Sequence, residues 1–198
     1  MKLKLASPEQ VALVYARDLK PSFPPAELKP LANIQAMCRD GCYRPWCLFD
    51  GEEIAGECFL WLGRPGWALL DYLCVAESRR NSGAGALMLS EIRRVEPDTV
   101  ILVESEAPVH APAPAMAERR LGFYARNGLR TAGYDTDVFG AHYKMLYLWP
   151  ESLPDERLME ENRWIYQNRF PKEKYERYVR IPRNPEEGPI AQVPWNED

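Results

Sequence analysis

The sequence predicts one α/β (α+β) domain, a mixed β-sheet flanked by helices, with a helical and irregular C-terminal extension. Two patterns carry that expectation. Along residues 1–149, apolar runs of strand length alternate with segments of helical periodicity, and residues 99–103 form the continuous apolar run of a strand buried in a sheet. From Pro150 the character changes to charged helix and proline-rich tail, which divides a 1–149 domain from a 150–198 extension.

Taken in order, residues 2–5 read as a short first strand. Ser7-Pro8-Glu9-Gln10 supplies an N-cap, a proline at the first helical position and a capping-box Gln, so a helix follows to about Leu19. Pro21-Ser22-Phe23-Pro24-Pro25 breaks it, and a second helix is expected over 26–38. Strands at 43–49 and 54–62 flank the turn Asp50-Gly51-Glu52-Glu53, and a further strand covers 67–75. A helix carries Leu87, Met88, Leu89, Ile92 and Val95; a second spans 115–126 and stops at Asn127-Gly128. Two last strands, 129–132 and 143–149, enclose a loop with Asp135 and Asp137. In the extension, helices are expected at 154–167 and 171–179, then a strap rich in aromatics such as Trp164, Tyr166, Phe170, Tyr175 and Trp195. Those aromatics pack on the chain's own domain or on a neighbouring subunit, which leaves a homodimer open.

The 198 residues suffice for a sizeable core. A formal charge of −4 and a pI near 5.4 argue against a general nucleic-acid binder, which needs a broad basic face. No apolar run reaches membrane-span length, and Met1-Lys2-Leu3-Lys4-Leu5 lacks the apolar core of a signal peptide, so a cytoplasmic protein off the membrane is expected. Five cysteines fit no paired framework and read as free thiols. Cys38, Cys42 and Cys47 lack Cys-x-x-Cys spacing and a nearby histidine, so no metal is expected.

The chemistry concentrates where the 67–75 strand meets the basic turn Arg80-x-x-Gly83-x-Gly85 and a helix begins at once. The first N–H groups of a helix have no internal partner and sit at the positive end of its dipole, so this order builds an anion site from backbone. Gly83 and Gly85 are expected to clear space for a phosphate, and Arg80 to add a fixed charge.

This turn after the fourth strand, with Tyr124 four residues before Gly128 in Leu121-Gly122-Phe123-Tyr124-Ala125-Arg126-Asn127-Gly128-Leu129, resembles the GNAT acyltransferases over residues 1–149. The resemblance implies acetyl-CoA, or a related acyl-CoA, as donor co-substrate. It places the pyrophosphate on the amides of Asn81, Ser82, Gly83, Ala84, Gly85 and Ala86 beside Arg80, with the Ser82 hydroxyl as a further donor. It leaves backbone of Cys74 and Val75 free for the pantetheine arm, with one N–H polarising the thioester carbonyl. Tyr124 matches the family's acid position. Ala117 and Glu118 stand where many members carry an Asn for the pantetheine arm, which puts that one contact in doubt.

Asp71 and Glu104 are the base candidates. Asp71 interrupts an apolar strand, where a carboxylate must be bonded or face a cleft; Glu104 ends the buried 99–103 run where a cofactor cleft opens. Glu106 shares a strand face with Glu104, and Asp135 and Asp137 sit where an acceptor loop is expected. Nothing in the sequence ties His110 or His142 to the chemistry. Arg119, Arg120, Arg126 and Arg130 are candidates for the adenosine phosphate. The function expected is acetyl transfer from acetyl-CoA to a small-molecule or peptide amine. The alternative is a non-catalytic acyl-CoA-binding module, and a dinucleotide-binding fold fits poorly because the glycine turn does not follow the first strand.

Overall fold

The computed structural model describes residues 1–195. Eight strands form one sheet in the order β1-β2-β3-β4-β5-β7-β6-β8. They are β1 Lys2–Leu5, β2 Tyr43–Asp50, β3 Glu53–Leu62, β4 Trp67–Val75, β5 Val100–Glu106, β6 Arg130–Val138, β7 Ala141–Leu148 and β8 Val179–Arg180. All neighbours run antiparallel except β4 and β5, which are joined by helix α4 (Ala84–Val95) and pair in parallel. One sheet face buries Leu60, Leu70, Ile101 and Val103 against Met88, Leu89 and Ile92 of α4 and Tyr124 of α5 (Pro114–Arg126). The other buries Trp61, Leu69, Tyr72 and Leu102 with residues of α1 (Pro8–Val14), α3 (Leu31–Arg39) and α6 (Asp155–Gln167). Residues beyond 150 join this second cluster through Leu158, Ile165, Tyr166, Tyr178, Ile181, Ile190 and Trp195.

Three expectations are corrected. The first helix runs past the expected end near Leu19 and stops at Ser22, inside the 21–25 segment. A π turn over Tyr15–Leu19, closed by the Lys20 N–H to the Tyr15 carbonyl, leads into the short α2 (Lys20–Ser22). Pro21 then falls in a first turn, where its missing N–H costs nothing. The second helix starts at Leu31 and not at 26, since Pro30 holds extended backbone at its N-cap (φ −54°, ψ 140°). Finally, Asp135 and Asp137 lie inside β6, not in a loop. The reversal is made by Phe139 (φ 49°) and Gly140 (φ 82°), the left-handed pair a two-residue hairpin requires. Phe at the first of these positions hid the turn, because Asn or Asp is the usual signal there.

Candidate active site

Two irregularities open a cleft at the centre of the sheet. Parallel pairing of β4 with β5 ends at Leu70 opposite Val103, so Asp71 to Val75 have no partner on that side. At the same level β4 carries a bulge. Phe59 pairs with Tyr72 and Leu60 with Leu70, which leaves Asp71 as the extra residue. The bulge reverses the alternation, so that Leu70 faces the α4–α5 side while Tyr72 and Cys74 face the other. It also sets backbone direction. The Ala76 N–H bonds the Ala55 carbonyl of β3 (3.0 Å), and the Cys74 carbonyl approaches Gly56. Strand alternation therefore turns the amides of Leu73 and Val75, rather than that of Cys74, to the open edge.

The turn below this edge carries two glycines whose surroundings differ. Gly83 (φ 86°) supplies the left-handed residue that starts α4, and a Cβ there would meet nothing within 4 Å. A Cβ at Gly85 would lie 3.2 Å from the Phe123 ring, so this glycine lets α4 pack on α5. The first backbone bond from the turn into α4 runs from the Leu87 N–H to the Gly83 carbonyl (3.0 Å), which leaves the amides of Ala84, Gly85 and Ala86 ahead of it. No side chain caps this helix start. Asn81 also takes a left-handed conformation (φ 61°). The Ser82 hydroxyl is spent on the Arg79 carbonyl (2.6 Å). Arg79 pairs with Asp50 and Glu53, whereas Arg80 is exposed and forms no ion pair among the described residues.

Above the open edge lies a cavity of about 390 Å³. It is lined by acidic Glu27, Asp71, Glu104 and Glu106, by basic Lys29 and Arg120, and by Tyr72, Tyr124, Tyr143 and Tyr166. Asp71 is fully engaged: one oxygen accepts from Lys29 Nζ (2.6 Å) and the other from the Tyr43 hydroxyl. Lys29 is buried, and its ammonium lies over the rings of Trp61 and Trp195 at 4.5 and 3.8 Å from their centroids. Burial pulls its pKa down and the Asp71 charge opposes that shift.

Glu104 is placed differently. Its Oε2 accepts from the Tyr166 hydroxyl (2.7 Å), while Oε1 is sealed from water and has no hydrogen-bond partner. Burial pushes its pKa up to about 7, against the opposing pull of the Tyr166 hydroxyl and the Lys29 charge. Glu27 also reaches about 7, through burial and the neighbouring Glu106 charge, with Arg120 opposing. Tyr124 is buried, its hydroxyl makes no hydrogen bond among the described residues, and burial raises its pKa to about 12. It therefore stays protonated at neutral pH.

Tyr124, Glu104, Asp71 and Cys74 thus meet at one cavity, with the Val75 amide at its open edge and the turn of residues 80–86 below. Glu106 lines the cavity 3.6 Å from Arg120. Asp135 and Asp137 are occupied elsewhere, by His142 and Lys144 and by Arg183. His110 packs against His142 with the rings tilted, outside the cavity lining. Among the described residues no group of three or more His, Cys, Asp or Glu side chains is placed to hold a metal ion, and no helix is long and apolar enough to cross a membrane.

Sequence reasoning missed Glu27, Lys29, Tyr43, Tyr143, Tyr166 and Trp195. Glu27 and Lys29 stand on the loop between α2 and α3. The Tyr72 hydroxyl pins that loop, accepting from the Lys29 N–H (2.8 Å) and donating to the Glu27 carbonyl (3.0 Å). The clue lay in composition, a Glu and a Lys inside a proline-bracketed segment, but only folding sets it over the strand.

No protein-family model matches the chain, and no curated protein matches it in sequence. Solved structures do. A Bacteroides thetaiotaomicron protein assigned to the GNAT family of acetyltransferases superimposes with a TM-score of 0.66 at 23% identity, covering 81% of this chain and 92% of that one. The ribosomal-protein-S18-alanine N-acetyltransferase of Escherichia coli gives a TM-score of 0.58 at 13% identity, covering 78% and 96%. A Bacillus subtilis acetyltransferase in complex with CoA gives 0.53 at 18% identity, covering 74% and 97%. With the splayed β4–β5 pair and the glycine turn between them, these likenesses establish that the chain has the fold of the GNAT acetyltransferases.

Proposed function

We propose that this protein is an N-acetyltransferase that moves an acetyl group from acetyl-CoA to a cationic amine by direct attack. The observation that carries the reading is the Glu104 side chain, which lines the same cavity as the Tyr124 side chain beside the open edge of β4. An amine must lose a proton to attack. Glu104, with a pKa of about 7, has the proton affinity for that transfer near neutral pH. Both Asp71 oxygens are taken, which favours an anchoring role for Asp71 and leaves the base to Glu104.

In the step, Glu104 first takes a proton from the ammonium, the freed amine nitrogen then bonds the thioester carbonyl carbon, and the second nitrogen proton passes to solvent as the tetrahedral adduct collapses to the amide. The Val75 N–H faces the edge where the developing oxyanion is stabilised. As the carbon–sulfur bond breaks, Tyr124 gives its proton to the departing thiolate. The amides of residues 84–86 and Arg80 suit the pyrophosphate, and the B. subtilis structure of similar fold is a CoA complex, which supports CoA as the donor. Four cavity carboxylates against two basic side chains favour a cationic acceptor.

Thiol release from acetyl-CoA across a panel of amines tests the reading. Arg80→Ala is expected to weaken CoA binding about tenfold in calorimetry with an unchanged melting temperature, because among the described residues the exposed Arg80 side chain forms no ion pair. Tyr124→Phe is expected to lower kcat about 10²-fold at unchanged CoA affinity, since only the proton is removed. Full turnover in that variant removes Tyr124 as the acid. CoA binding without thiol release for any amine marks the non-catalytic module instead.

A further inference from the structure

The acceptor side of the cavity is roofed by the chain's own C-terminal segment. Residues 190–195 cross from the β6–β7 hairpin to the loop between α2 and α3, the loop that carries Glu27 and Lys29. At one end the hairpin touches the strap directly: a Cβ on Gly140 would lie 2.6 Å from the Gln192 Cα. At the other end the Trp195 N–H donates to the Pro25 carbonyl (3.1 Å). Between these points the Trp195 ring packs on Phe139 (4.6 Å between centroids) and Phe170 (5.3 Å), covers Lys29, and lines the cavity. Trp195 and Ile190 are both buried. The exposed residues of the cavity lining include Ser22, Pro24, Pro112 and Ala113, and Pro24 adjoins the Pro25 that anchors the strap.

We infer that the strap, through Trp195, is the specificity wall of the acceptor site and restricts the acceptor to a small amine, excluding a peptide. Backbone of residues 190–195 fills the gap between the hairpin and the α2–α3 loop with contacts to both sides, so a long acceptor has no entry there. An indole wall discriminates by size, because a larger acceptor must displace packed rings rather than water. This inference rests on the acetyltransferase reading for its substrate and on the strap geometry for its selectivity.

The test compares propylamine with Ala-Ala-Ala amide on the full chain, on Trp195→Ala, and on a chain ending at Pro189. Full-length protein is expected to use propylamine and to reject the tripeptide amide. The ratio of kcat/KM for tripeptide amide over propylamine is expected to rise at least about tenfold in Trp195→Ala and further in the truncation, with CoA affinity held. A ratio unchanged in Trp195→Ala, or equal use of both amines by the full chain, overturns the wall. Absence of thiol release in every form overturns the acetyltransferase reading instead. The wall is then judged by calorimetric titration of the same two amines: tripeptide binding gained only in the altered forms upholds it, and equal binding overturns it.

Discussion

Glu104→Gln is expected to lower kcat/KM for an amine acceptor by about 10²–10³ at pH 8, with CoA affinity unchanged. The amide keeps the shape of the side chain and an oxygen for the Tyr166 hydroxyl, but it cannot accept a proton. In the wild-type protein kcat/KM is expected to rise with pH through about 7, as Glu104 becomes the carboxylate. That limb should vanish in Glu104→Gln. Glu27 titrates in the same range, so Glu27→Gln is the control and is expected to keep the limb. Stability should move the other way. The folded pKa of Glu104 is raised above 4.5, so the unfolded chain ionises first and stability is lost as pH climbs from about 4.5 to about 7. Glu104→Gln lacks this loss and should melt at a higher temperature relative to wild type at pH 7 than at pH 4. A variant with full activity and an intact acid limb would remove Glu104 as the base.

Lys29→Met is expected to cost about 3–5 kcal/mol, read as a lower denaturant midpoint at unchanged slope. The Lys29 and Asp71 side chains are 2% and 8% exposed, so removing the ammonium strands a carboxylate held only by the Tyr43 phenol. It also removes the cation over Trp61 and Trp195. Because the penalty is the uncompensated charge, adding Asp71→Asn to Lys29→Met should restore a large part of it. Equal costs that simply add in the double variant would show that the two groups do not act as a pair.

The elements that declare themselves locally were legible. Ser7 to Gln10 predicts a capping box, and the Ser7 hydroxyl and Gln10 side chain form one. The expected strand at 67–75 is β4 residue for residue, and the helix stop at Asn127-Gly128 is where α5 ends. In the site, Tyr124 and Glu104 stood out because a motif and the end of a buried strand marked them. Asp71 stood out for its chemistry while its surroundings stayed hidden: its partners Lys29 and Tyr43 are 42 and 28 residues away. Asp135 and Asp137 misled because a polar pair between two apolar runs reads as a loop. Within β6 their charges are met across the strands by Lys144, His142 and Arg183.

The sequence by itself determined the order of the elements, the glycine turn before α4 and the helix that carries Tyr124, since each depends on residues within one or two turns of chain. Only the tertiary structure decided which carboxylate is free. That choice depends on where burial falls and which distant donors arrive: Lys29 and Tyr43 saturate Asp71, whereas Tyr166 reaches Glu104 from the C-terminal helix and leaves one oxygen bare. The same holds for the roof over the site, because no local pattern in a proline-rich tail tells that Trp195 closes over Lys29.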